Sequence, residues 1–468
     1  MIDANVSPSL PRDAQPTIGL IGMGAMGRMY AKYLSEAGWL KINVCDLPSK
    51  YPDLVRDYAD KPNITPLPDG HAVSRSSDFL MYSVEAKQIS EVVRQYGPST
   101  KVGAVVAGQT SVKAPEKEAF ERYLPTDTHI VSCHSLHGPS VNPVGQPLVL
   151  IKHRAPPEAL ALVENILSCF RSRYVYLSYE EHDLVTANTQ AVTHAAFLSM
   201  GTAWASALSY PWEQGLYVGG IETAKVNLVL RIYSNLWHVY AGLAILNPSA
   251  RIQIDQYAKS ATELFKLMLS GGSGGVEEEA QFRKRIEWGR EVVFGHGRSK
   301  KERKPILLSP EVLDRFSLGK RPTAHQESLP PSPSEASFSL LAMVDCWAHL
   351  GINPYEHLAL AATPIFRLFL GVAEHLFLSP SLLSSAIKSG LFHSWHRSDD
   401  LEFVVAARGW SQCVSFGNFD LYQKRFEETR LFFEGRFEEA NKLGSEMIKA
   451  IMETEVLREE EEAEEGVE

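Results

Sequence analysis

At 468 residues, with 44% apolar and 22% charged side chains, the chain is too long for one small core and has the composition of a globular enzyme of two or three domains. Its net charge of −10, much of it from the glutamate-rich stretch after Glu453, does not favour nucleic acid as a partner. No apolar run is long enough to span a bilayer, so no membrane partner is expected either. The polar, proline-containing start from Met1 to Pro16 does not read as a signal peptide. Cys45, Cys133, Cys169, Cys346 and Cys413 form no CxxC pair and no Cys/His cluster, so free thiols in a reducing, cytoplasmic setting are expected and a metal site is not.

The first 150 residues alternate short β-branched runs with amphipathic stretches, as βαβ units on a parallel sheet do. Thr17–Ile21 is read as the first strand, Met26–Ala37 as a helix stopped by Gly38, and Ile42–Asp46 as the second strand. Further strands are expected at Phe79–Val84, Val102–Ala107, Ile130–Ser132 and Leu148–Ile151, the last two closing the sheet. Beyond about residue 155 the pattern becomes helical and rich in Ala, Leu and aromatics. Gly271–Gly275 reads as a flexible break, and Pro322–Ser337 as a linker.

The helical part echoes itself. Ala196–Trp204 followed by Tyr210-Pro211-Trp212-Glu213 matches Ser339–Trp347 followed by Asn353-Pro354-Tyr355-Glu356. The stretch from Arg231 to Ser249 matches that from Pro364 to Ser381 with one residue of slip, which favours duplication over chance similarity of apolar helices. The expected boundaries are a nucleotide domain at 16–155, a first helical domain at 156–270, an irregular region at 276–337, a second helical repeat at 338–452 and an acidic, disordered tail at 453–468.

Gly22-Met23-Gly24-Ala25-Met26-Gly27 directly follows the first strand and opens the first helix, the context in which GxGxxG marks a Rossmann dinucleotide site. Gly22 permits the tight turn, Gly24 lets a pyrophosphate approach the backbone, and Gly27 lets helix and strand pack closely. The free N–H groups and the helix dipole then face the phosphates. Asp46, at the end of the second strand, is placed to bind the adenine-side ribose and leans to NAD; Ser49, Lys50 and Arg56 could hold a 2′-phosphate if it turns aside. Ser83, Val84 and Gln109, at the ends of neighbouring strands, are further candidate cofactor contacts.

The carboxyl edge of the sheet should also carry Gly108–Lys113 and Cys133–Pro139. A histidine there, His134 first and His137 second, can take a proton from a substrate hydroxyl as hydride leaves its carbon. Ser111 could hydrogen-bond the same hydroxyl or the imidazole; read structurally, it is a turn-capping serine and the histidines are loop residues. Glu181–His194 reads as one long helix that sets Gln190 and His194 on one face. Arg231 and Arg367, in apolar helical surroundings, need either a structural carboxylate or an anionic ligand.

Together these segments resemble the prephenate and arogenate dehydrogenase family, in particular its fungal branch, over roughly residues 16 to 400. Ser111-Val112-Lys113 and His134–Pro139 resemble the family's Ser-Val-Lys and catalytic His-Pro segments, with Ser135 where Pro is usual. Glu181-His182-Asp183 with Gln190–His194 looks like the helix that opens its all-helical domain. The resemblance implies a Rossmann domain followed by an all-α, duplicated dimerisation-type region. It also implies NADP as cofactor, prephenate as substrate, His134 as proton acceptor, Ser111 as its neighbour, and Lys113 and His194 in the substrate site. Family members carry the arginine for the ring carboxylate shortly before an Asp-Pro or similar pair. Here Arg231 lies well before Asn247-Pro248, and Arg367 matches a bacterial segment, so both are candidates. A duplicated region would let one chain build the helical pseudo-dimer as a monomer; otherwise a homodimer is expected. The rivals are an arogenate dehydrogenase, a β-hydroxyacid dehydrogenase, whose Lys…Asn motif Gly219–Asn227 imitates, and a non-catalytic NAD(P)-binding redox sensor.

Overall fold

The computed structural model describes residues 3–139, 141–208, 210, 221–295, 306, 316, 337–361, 363–393, 397–447 and 449–450. They fall into two compact units, Met1–Thr186 with Leu246–Pro248, and Ala187–Ile245 with Ser249–Glu468.

The first unit is built on β1 (Ile18–Ile21), α1 (Ala25–Glu36), β2 (Ile42–Cys45), α2 (Tyr51–Asp57), β3 (Ile64–Pro66), α3 (Gly70–Ser76), β4 (Phe79–Tyr82) and α4 (Ile89–Tyr96). It continues through β5 (Val105–Gly108), α5 (Ala114–Tyr123), β6 (His129–Ser135), β7 (Pro147–Lys152), α6 (Pro157–Leu167), β8 (Arg173–Tyr176) and α7 (Tyr179–Thr186). The strand order is β3-β2-β1-β4-β5-β6-β7-β8. All pairs are parallel except β6 with β7, which run antiparallel. β1 is buried along its length because neighbours cover both edges and helices both faces, which explains its continuous apolar run. The order reverses between β1 and β4, the switch point at which such sheets bind ligands.

Three expectations need correction here. The nucleotide unit does not end at 155: α6, β8 and α7 belong to it, and β8, not Leu148–Ile151, closes the sheet. The short strands β3 and β8 escape sequence periodicity because each offers only three or four residues at a sheet edge, half exposed. β6 runs to Ser135, three residues further than expected, so His134 sits inside a strand and not in a loop.

The second unit is helical. A π turn at Ala187–Ala191 leads into α8 (Val192–Ser206), followed by α9 (Ile221–Ser234), α10 (Trp237–Leu246), α11 (Pro248–Gly272) and α12 (Val276–Phe294). After these come α13 (Ser337–Leu350), α14 (Pro354–Ala361), α15 (Pro364–Leu378), α16 (Pro380–Phe392), α17 (Arg397–Ser415) and α18 (Phe419–Phe433). α8 is buried nearly all round, which fits its almost uniformly apolar and small side chains. Trp410 Nε1 on α17 donates to Thr202 Oγ1 on α8 at 3.0 Å. Arg285 on α12 holds Asp345 of α13 with both ends of its guanidinium (2.6 and 2.8 Å) and Glu263 of α11 at 2.7 Å.

The segment expected to be irregular from 276 therefore opens with a helix, whose amino end is lined by Glu277, Glu278 and Glu279 as the helix dipole favours. The expected break at Gly271–Gly275 shrinks to a turn with Gly274 at φ +99°, because α11 runs through Gly272. The Pro322–Ser337 linker, apart from Ser337, and the 453–468 tail lie outside the described residues. Of the echoing segments, 196–204 lies in α8 and 339–347 in α13, while 211–213 lie outside the described residues. Among the described residues no single helix is long and apolar enough to cross a membrane; one pair, Ile365–Leu378 with Pro380–Phe392, passes by length and composition but is bent by 92°.

Candidate active site

The glycine loop follows β1 as its spacing requires. Gly22 has φ +99°, and a Cβ there would meet Ser83 O at 2.3 Å; at Gly27 a Cβ would strike Gly22 O at 2.1 Å. Gly24, the N-cap of α1, is different: a Cβ built there meets nothing within 4 Å, and no side chain caps the helix. The loop is thus glycine-bound by the fold at two positions and open at the third, where exposed N–H groups at a helix start suit a phosphate. Beside it, Ser83 N donates to Ile21 O at 2.7 Å, Ser83 Oγ donates to Gln109 Oε1 at 2.9 Å, and Val84 follows Ser83. The ends of β1, β4 and β5 are so linked into one edge. Met23, Ala25 and Met26 complete the loop and first turn, with Met23 buried.

Asp46 does not face outward. Its Oδ2 accepts from Met23 N at 3.1 Å and its Oδ1 from Leu47 N at 2.7 Å, with Lys50 Nζ 3.9 Å away. The carboxylate is spent on the glycine loop's own backbone. Arg56 is paired with Asp53.

Further along the same edge, β6 carries His134. Its Nδ1 lies 2.8 Å from His182 Nε2, and His182 Nδ1 lies 2.9 Å from Asp183 Oδ1. Asp183 also accepts from the backbone N–H groups of Lys113 (2.7 Å) and Ala114 (2.8 Å), where α5 begins. Asn247 Nδ2 donates to the backbone carbonyl of Asp183 at 2.8 Å. Burial, then the neighbouring His182, Lys113 and His137, hold the His134 imidazole well below the ordinary histidine range. His182 is depressed likewise, by burial and then by Lys113. Burial raises the Asp183 carboxyl to about 6, against the two backbone donors and the Lys113 charge.

The structure corrects two neighbours. Ser111, half-buried in the β5–α5 loop, is not the hydrogen-bond partner of His134; that place is taken by His182, because His134 stands on a strand covered by α7. Lys113 does not face a substrate. It is fully buried, and its Nζ donates to Glu116, Gly108 O, Ser132 Oγ and Cys133 O at 2.9–3.2 Å, leaving no donor to spare. His137 follows the strand, with Nδ1 3.0 Å from Gly138 O and a buried Nε2 that has no partner. Ser135, where the related pattern has proline, shares a buried 2.7 Å hydrogen bond with Tyr30 OH of α1.

The other candidates belong to the helical unit. Gln190 lies in the π turn and not in a regular helix; such turns recur at functional sites, and their wider repeat breaks the four-residue spacing to His194. His194 on α8 stacks edge-on against Tyr240, its Nδ1 buried without a partner, and burial lowers it to about 4. Arg231 on α9 donates to Ser445 Oγ at 3.1 Å. Arg367 is buried in α15. Lys225 and Asn227, the rival motif, are buried within α9, and Asn227 Nδ2 donates to Phe316 O at 2.9 Å. Among the described residues no group of three or more His, Cys, Asp or Glu is placed to hold a metal ion. Sequence reasoning assigned no role to His182 or Asp183; their only signal was two polar residues at the start of an otherwise apolar helix.

Comparison with known proteins agrees with this layout. A family model described as a 6-phosphogluconate dehydrogenase C-terminal domain matches residues 191–453, and one described as NADP oxidoreductase, coenzyme F420-dependent, matches residues 17–107. A probable NADP(+) prephenate dehydrogenase of Schizosaccharomyces pombe is 52% identical over 436 residues, 93% of this chain and 97% of that protein. The NADP(+) prephenate dehydrogenase of Saccharomyces cerevisiae is 50% identical over 442 residues, 94% of each. A solved prephenate dehydrogenase from A. aeolicus, in complex with hydroxyphenyl propionate and NAD+, aligns at 20% identity over 60% of this chain and 99% of its own, with a TM-score of 0.45.

Proposed function

The chain belongs to the family of fungal NADP-dependent prephenate dehydrogenases, and from that premise we propose that His134 is the base of its reaction. The reaction is the oxidative decarboxylation of prephenate to 4-hydroxyphenylpyruvate, a step of tyrosine biosynthesis. NADP, when bound, supplies the hydride acceptor.

The observation that carries the assignment is the state of the His134 ring. Nδ1 is committed to His182, so Nε2 is the nitrogen left to take a proton, and burial keeps the ring neutral near pH 7. His134 stands on the sheet edge that also bears the glycine loop, Ser83 and Gln109. The substrate's hydroxyl proton goes to Nε2; the protein must otherwise orient the ring and neutralise two carboxylates.

For the cofactor we assign the pyrophosphate to the Gly22–Gly27 loop and the α1 amino end. Ser49 and Lys50 are assigned to the 2′-phosphate, a reading supported by Asp46 being turned onto the loop. Substrate contacts are assigned to His137, Gln190 and His194, with either Arg231 or Arg367 on the ring carboxylate; Ser111 remains a candidate for the hydroxyl itself. A monomer whose helical unit is an internal pseudo-dimer is the oligomeric reading, and five unpaired cysteines suit a cytoplasmic setting. The deciding experiment is steady-state turnover of prephenate with NADP by His134→Ala: a wild-type rate removes the base assignment. Arg231→Ala and Arg367→Ala, run beside it, identify the anchor as the one that chiefly raises KM.

A further inference from the structure

Asp183 fixes the direction of a hydrogen-bond chain. Its two oxygens accept backbone N–H groups from Lys113 and Ala114 at the start of α5, so both are acceptors, and the third donor must be His182 Nδ1–H. A neutral His182 that donates from Nδ1 has its lone pair on Nε2. That lone pair faces His134 Nδ1 at 2.8 Å, so the proton in this contact belongs to His134. With the proton held on Nδ1, the His134 lone pair is on Nε2. Every tautomer along the chain follows from one carboxylate placed on a helix amino end.

We infer that His182 is the positioning residue for His134: backed by Asp183, it locks the imidazole in the tautomer whose Nε2 accepts the substrate proton. The inference rests on His134 being the base. The step balances without an oxidant: the substrate O–H bond breaks, an Nε2–H bond forms on His134, and the resulting positive charge is shared across the Nδ1–H to His182, beside the Asp183 carboxylate. Alone, neither buried ring has another acceptor for that charge. The charged and titratable groups facing the pair are Lys113 with its partner Glu116 from α5, His137 beyond β6, and Glu180 beside Asp183 on α7.

The arrangement explains why the residue next to the proton acceptor is an imidazole and not a hydroxyl. A serine can donate or accept, so it leaves the tautomer of its partner open. His182, tied to a carboxylate, can only accept.

The test uses the full chain. Protein labelled with nitrogen-15 in its histidines, with the His134 signals identified by their loss in His134→Ala, should show a protonated Nδ1 and an unprotonated Nε2 above neutral pH. His182→Phe should lose that pattern, with kcat falling on the order of 100-fold or more while NADP affinity stays near wild type. His182→Gln, whose Oε1 can accept at the same place, should recover most of the rate and the tautomer but shift the acidic limb of the pH profile, since an amide cannot share the charge. An Nε2–H tautomer in the unsubstituted protein overturns the inference even if His182→Phe does not fold. So does a His182→Phe enzyme with wild-type kcat and pH profile. If His134→Ala itself turns over normally, the base assignment has failed, a separate outcome from failure of the relay.

Discussion

Lys113 and Glu116 form an ion pair from which solvent is wholly excluded, with Nζ 2.9 Å from each carboxylate oxygen and both side chains at 0% exposure. The lysine belongs to a segment that resembles a substrate-binding motif, yet its work is to tie the β5–α5 loop to β6. Thr110 Oγ1 donates to Glu116 Oε2 at 2.5 Å, and Ser132 Oγ adds a further donor to Glu116, so the carboxylate is saturated. Removing one partner would leave the other charged and dry. Lys113→Met or Glu116→Gln should each cost about 3–5 kcal/mol in urea denaturation, and Lys113→Met with Glu116→Leu should cost less than either alone. Single variants of normal stability would show the pair to be incidental.

His134→Ala should lower kcat by about 10²–10⁴-fold with little change in NADP affinity, because the base touches the reacting hydroxyl and not the nucleotide. The same ring sets the pH dependence. A histidine depressed by burial stays unprotonated, and so competent as a base, below its ordinary value. The acidic limb of kcat/KM, which reports the free enzyme, should therefore fall below about pH 6.5. A limb above that value would mean another group controls the rate.

The glycine loop separates binding from folding. At Gly24 a side chain meets no protein atom within 4 Å, so Gly24→Val should leave thermal stability within about 1 kcal/mol of wild type while occupying the space a pyrophosphate needs. NADP affinity should drop by about 10-fold or more, 1.4 kcal/mol per tenfold. Gly22→Ala should do the reverse in kind: φ +99° and the Ser83 carbonyl at 2.3 Å strain the fold itself, by about 1–3 kcal/mol. Equal effects of both substitutions on stability would remove the distinction.

His194 should make the fold acid-sensitive. Its value of about 4 lies below the unfolded 6.5, so the unfolded chain binds a proton first. The stability it contributes is complete above pH 6.5 and is lost as pH falls toward 4, at about 1.4 kcal/mol per pH unit. Asp183 and Asp400, raised to about 6 and about 7, act in the opposite sense: they favour the fold at low pH and cease to as pH rises through those values. The His194 share is isolated by comparing urea stability of His194→Phe and wild type at neutral pH and at about pH 5, where the variant should lose less. Parallel pH slopes would show that His194 titrates normally.

The cofactor half was legible in the chain because its requirements are local. A glycine forced by a tight turn, another left open for phosphate and a third for close packing follow from a strand–turn–helix whatever the rest does, and Gly22, Gly24 and Gly27 stand where that logic puts them. His134 was found by the same reasoning, as the polar residue at the carboxyl end of a buried strand. What surrounds it was not, since contacts between segments depend on which elements the fold stacks. Lys113 reads as a free cation until β6 brings Ser132 and Cys133 O to its ammonium group. His182 and Asp183 lie 48 residues and more from their partners, and no spacing rule joins them. Asp46 shows the same limit: its place in the chain predicts a ribose contact, but the 3.1 Å bond from Met23 N turns it onto the loop. Residue type and spacing determined which chemistry the chain can carry; tertiary packing decided which of those groups are desolvated, paired or left open, because solvent exclusion is a property of the assembled core and not of any one segment.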